Sequence, residues 1–247
     1  MARQHLTHRA PSGDILDLDW DGAAPGSQVS GVRFAGGSYG RGFQVHPLGA
    51  HEFAITHFTP GARTERLVVG RNEVRVAVDG TSTTATLLGS HHELMTVFTG
   101  PPPTSARIVD LFGVLDIDDA AEGMRVTPSR SSLLSVMNEH HVVVVDDFIS
   151  MDMPGPAHAR RMAPGHRGSR NARGNEVWKS ELPGRGLGRG SNNGNNGNGN
   201  GRARDFAYIV GSRTGVAEII ASDPEATTDD AVMTLVDSLD VAWSAGR

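Results

Sequence analysis

Asp17-Leu-Asp19-Trp-Asp21-Gly22 sets carboxylates at alternate positions ahead of a glycine, the opening of a calcium-binding loop. Gln28 stands where a closing bidentate carboxylate would be needed, and Pro25 interrupts the loop. An amphipathic strand explains the same residues, with Leu16, Leu18 and Trp20 on one face and aspartates on the other. The strand reading is favoured. Eleven histidines raise the question of a metal. On a strand His51 and His57 would share a face with Phe53 and Ile55 between them, while His91-His92 and His140-His141 each send one ring to either side. No HExxH or His-x-His spacing occurs, so neither a metal site nor a cofactor is expected.

Covalent catalysis has little to start from. There is no cysteine and no Gly-Lys-Ser/Thr phosphate loop. Lys179 is the single lysine among 23 basic residues. No catalytic residue is nominated, and a metal-dependent hydrolase ranks third among the readings.

Arginine makes a stronger pattern. From Ala157 to Arg204, ten Arg/Lys face only Glu176 and Glu181, a surplus of +8 in a chain of net charge −5, so the remainder carries −13. Arg160, Arg161, Arg167, Arg170, Arg173, Arg185, Arg189, Arg202 and Arg204 are candidate nucleic-acid contacts, since guanidinium groups pair with phosphates and stack on bases. A solvated surface loop is the plainer account.

The elements that would position these groups are short. Ile15–Asp21, Val29–Phe34, Gly42–His46, Glu52–Phe58, Leu67–Val69, Glu73–Val78, Thr83–Leu88 and Glu93–Phe98 read as strands, with a turn at Asp79-Gly80. Residues 1–14 read as a loose tail and Arg130–Asn138 as a helix, followed by strands at 141–145 and 147–153. Strands at Glu176–Leu182, Phe206–Val210 and Val216–Ala221 complete the set. Residues 184–201 hold eight glycines and six asparagines and are expected to be disordered, because they bury too little to offset backbone entropy. No run approaches membrane-spanning length, and no apolar leader opens the chain, so a cytoplasmic protein with no membrane partner is expected.

Helices are expected over 104–117 and 228–243. Each opens on a threonine N-cap, and Ile108/Leu111/Phe112/Leu115 matches Val232/Leu235/Val236/Leu239. Upstream, Phe43-Gln-Val-His-Pro47 and Phe148-Ile-Ser-Met-Asp-Met-Pro154 are alternating strands stopped by proline. These echoes predict an α+β fold with an internal duplication, two related antiparallel-sheet units each closed by a C-terminal helix. The boundaries are a tail and edge strand at 1–28, a first unit at 29–128 and a second at 129–247.

Phe148–Gly155, Phe206-Ala-Tyr-Ile-Val and the ending Val232–Trp243 resemble the opening strand, later hairpin and closing helix of the PsbP-like superfamily, an αβα sandwich. The resemblance implies a non-enzymatic module for binding or assembly and carries over no catalytic residue. The expected function is therefore protein–protein contact with a partner of unknown identity. Nucleic-acid association through the Arg/Gly-rich segment 157–204 is the alternative.

Overall fold

The computed structural model describes residues 2–36, 39–129, 134–182, 206–223 and 225–246. Strands β1 (Arg3–Arg9) and β2 (Ile15–Asp21) open the chain, then β3 (Pro25–Gly36), β4 (Tyr39–Pro47) and helix α1 (Ala50–His57). A meander follows through β5 (Arg63–Val69), β6 (Asn72–Val78), β7 (Ser82–Leu88) and β8 (His92–Thr99). Helix α2 (Ser105–Gly113) leads into the hairpin β9 (Leu115–Ala120) and β10 (Gly123–Pro128). Next come β11 (Ser135–Val145), β12 (Ile149–Pro154), α3 (Pro156–Met162), β13 (Ser169–Arg170) and β14 (Glu176–Glu181). Strands β15 (Phe206–Gly211) and β16 (Val216–Ala221), helix α4 (Asp229–Ser238) and β17 (Asp240–Ser244) complete the chain.

Two compact units result. Unit 1 gathers Met1–Leu6, Leu16–Ser27 and Val142–Trp243; unit 2 gathers Thr7–Ile15, Gln28–His141 and Ser244–Arg247. The chain thus visits each unit more than once, and β11 contributes its first residues to unit 2 and its last to unit 1.

In unit 2 the antiparallel strands run in the order β11-β3-β4-β8-β7-β6-β5. Alternation does the sorting. Phe34, Phe43, Val74, Val76, Leu87 and Leu94 point to one face, where they pack on Ile108, Leu111 and Phe112 of α2 and on Met124 and Val126 of β10. Each such side chain contributes about 1.5–3 kcal/mol by leaving water. Asp79 and Gly80 form the β6–β7 turn: Gly80 takes φ 92°, and the Asp79 carboxylate accepts from the backbone N–H of Thr81 and Ser82. Gly123 is required for another reason, since a Cβ there would collide with the Arg9 carbonyl oxygen.

In unit 1 the order is β13-β14-β15-β16-β12-β11, with a second sheet β1-β2-β17. Leu16, Leu18, Trp20, Val143, Met151, Ile219 and Leu235 are buried in its core. The C-terminal carbonyls of α4 find a donor in Asn171, whose amide donates to the oxygens of Val236 and Leu239.

The α+β expectation of two related units, each closed by a C-terminal helix, is overturned, and the internal duplication with it. Among the described residues the protein is mostly sheet, 54% strand against 16% helix. Thr104 and Thr228 do cap helices, accepting from the N–H of Arg107 and Ala231. Neither helix closes anything. The helical period stops before Leu115-Asp-Ile and Leu239-Asp-Val, whose alternation starts β9 and β17 instead. The expected tail contains β1, paired with β2, and the expected helix at 130–138 gives way to β11 from Ser135. The Glu52–Phe58 strand is helix α1. Residues 184–201 lie outside the described residues.

Candidate protein-binding face

Helix α1 lies on the face of the unit 2 sheet opposite the apolar core, and a residue far along the chain holds it there. Its N-terminus has no capping side chain of its own, because Gly49 occupies the N-cap position with φ 93°. The buried Glu93 of β8 substitutes: its two carboxylate oxygens accept from the backbone N–H of Gly49 at 2.9 Å and of His51 at 2.6 Å. A carboxylate at this end also meets the positive pole of the helix. His51 is buried and shares a 3.0 Å hydrogen bond with Thr86 of β7, and burial lowers its pKa. Arg75 of β6 bridges Glu73 and Glu52 and ties the outer side of α1 down.

What α1 then presents is apolar. Phe53 is 54% exposed, Phe58 74% and the preceding Leu48 56%. Phe53 stacks on His57 with centroids 4.2 Å apart and meets Phe58 edge-on at 5.7 Å. The chain holds only eight phenylalanines, so two of them beside one short helix in water is a costly disposition.

From Phe58 the chain turns directly into β5, the last strand of the sheet order. All seven residues of β5 pair regularly with β6, from Arg63 opposite Val78 to Val69 opposite Asn72. No proline or bulge protects its other side, and Val68 is 71% exposed. Exposed rings and an open edge strand occur within a few residues of one another.

The residues nominated from sequence that the structure describes sit on separate elements. Arg160 and Arg161 sit in the last turn of α3, Arg167 is exposed, and Arg170 lies on the two-residue β13. Arg173 donates to the Ser238 carbonyl oxygen. Arg185, Arg189, Arg202 and Arg204 lie outside the described residues. Asp17, Asp19 and Asp21 belong to β2, where Asp19 pairs with Arg3 and His5. Among the described residues no group of three metal-ligating side chains assembles. His140 and His141 do face opposite ways: His140 is half-buried at the outer face and His141 fully buried.

His141 joins a trio that sequence spacing could not have suggested. Ser30 Oγ lies 2.7 Å from His8 Nε2 and 2.8 Å from His141 Nδ1, and the two rings stack at 3.8 Å. Serine between two histidines looks catalytic on paper. Ser30 and His141 are each 1% exposed, however, so the trio is a buried, hydrogen-bonded core contact. Burial depresses the His8 pKa to about 4 and the His141 pKa further.

No protein-family model, curated protein or solved structure matches the chain. Among the described residues, no helix is long and apolar enough to cross a membrane.

Proposed function

We propose that the protein is a non-catalytic binding or assembly module that recruits a protein partner to the outer face of unit 2. The observation that carries this reading is the exposed Phe53–His57–Phe58 cluster at the entry to a seven-residue edge strand whose outer side pairs with no strand among the described residues. Aromatic side chains with few rotatable bonds are the usual energetic centres of protein interfaces. An open strand edge offers main-chain hydrogen bonds to an incoming segment. The resemblance of Phe148–Gly155 to the PsbP-like opening strand points to the same class. Stoichiometric capture from host lysate, with and without nuclease, tests the reading. A partner that survives nuclease and is bound at least about tenfold more weakly by the Phe53→Ser/Phe58→Ser variant supports it, as expected for interface hot spots. A partner retained by that variant, or released by nuclease, overturns it.

A further inference from the structure

Beside α1 the same outer face of the unit 2 sheet holds a trough of about 440 Å³. Its origin is legible in the strand register. Gly31 of β3 pairs with Gln44 of β4, Arg33 pairs with Gly42, and Gln44 pairs in turn with Met95 of β8. Two glycines on diagonally adjacent positions remove two side chains from the middle of a sheet face; the His140 ring covers the space over Gly31, and the trough opens over Gly42. The glycines do different jobs. A Cβ on Gly31 would collide with the His140 ring, which lies across it, whereas a Cβ on Gly42 would meet nothing within 4 Å.

The lining is polarised across the strands. His140 and Asn138 of β11 and Arg33 of β3 stand at one end, and Met95 and Val97 of β8 at the other. Arg33 is exposed and has no ion-pair partner among the described residues. By contrast Arg41 is already engaged, over the Phe98 ring at 4.0 Å and donating to the Val97 carbonyl oxygen. Among the described residues no carboxylate lines the trough.

We infer that the trough binds an extended, acidic segment of a partner protein, with a side-chain carboxylate on Arg33 and His140 and an apolar side chain on Met95 and Val97. A guanidinium flanked by imidazole and amide donors is matched to a carboxylate, which accepts several hydrogen bonds at once. The spacing fits as well. Strands β11 and β8 are three strand intervals apart, about 14 Å, which an extended chain covers in about four residues. Residues i and i+4 of such a chain project from the same side. A polyanion such as RNA fits less well, because half of the lining is apolar and a single arginine supplies the fixed positive charge. This deepens the protein-binding reading, and rests on it for where the segment comes from.

The test uses the whole protein, isotope-labelled for amide spectra and titrated with the peptide acetyl-Glu-Thr-Ser-Thr-Val-amide. Saturable shifts are expected at Arg33, Gly42 and Val97, with binding about tenfold weaker for the Gln-Thr-Ser-Thr-Val counterpart and for Arg33→Gln. Gly42→Leu fills the trough where there is room for the side chain, so it should abolish the shifts while leaving the melting temperature in place. Phe53→Ser/Phe58→Ser should retain peptide binding, which separates failure of this inference from failure of the aromatic capture surface. Equal affinity for the Gln peptide, binding that survives Gly42→Leu, absence of shifts, or displacement of the peptide by an oligouridine would each overturn the assignment.

Discussion

The His8–Ser30–His141 contact makes a pH-dependent demand on the fold. Well above pH ~6.5 both rings are neutral folded or unfolded, and they give stability no slope. Below that value the unfolded chain takes up protons that the buried rings refuse, so stability falls with acid until the folded pKa is reached. For His8, held near 4, the loss over that window is roughly 3 kcal/mol. His141 adds to it, disfavoured in its charged form by burial, His8 and His140. Buried Glu139, beside Ser12 and Asp14, works in the opposite sense: its raised pKa lets the fold bind a proton before the unfolded chain does, which offsets part of the loss. Thermal unfolding from about pH 7 to about pH 5 should show Tm falling with acid. His8→Gln/His141→Gln should flatten that fall, and an undiminished slope in the double variant would show that other groups carry it.

At the scale of elements, α1 depends on Glu93. Glu93→Ala leaves the N–H groups of Gly49 and His51 without their buried acceptor, a cost of about 2–6 kcal/mol at roughly 1–3 kcal/mol per orphaned group. Amide exchange should therefore accelerate over residues 49–57 well before the rest of unit 2, and uniform loss of protection would refute the local anchor. The edge makes a separate prediction. Lysines in place of Thr64 and Val68 blunt strand addition at β5, so partner capture should drop while stability stays within about 0.5 kcal/mol. These two elements also show where sequence reading stops. The strand bounds Ile15–Asp21 and Val216–Ala221 follow from local alternation and needed nothing else. Helix α1 did not, because Phe53, Ile55 and His57 alternate like a strand and the capping carboxylate comes from β8. The trough was equally hidden: Gly31 and Gly42 become neighbours only through the β3–β4 register, and Val97 belongs with them only because β8 pairs with β4.

The charge of the whole molecule bears on the choice between a protein and a polyanion as partner. Polyanion binding is driven by counterion release and scales with the number of phosphates a surface neutralises. Of the nine arginines nominated for that role, the described ones are dispersed over α3, a loop, β13 and the turn that follows it, with Arg173 drawn toward the end of α4. The remaining chain carries −13, which repels a polyanion approaching anywhere else. Protein capture through Phe53 and Phe58 is governed instead by apolar burial, which salt affects little. Fluorescence anisotropy with a labelled oligouridine at near-physiological ionic strength (~0.15 M) should therefore show no saturable binding, and lower salt should recover only weak, shallow association. Capture of the protein partner should persist across the same salt range. Tight oligouridine binding with a steep salt slope, lost when Arg160, Arg161, Arg167 and Arg170 are changed to Gln, would reverse the order of the two readings and make the basic segment the working surface.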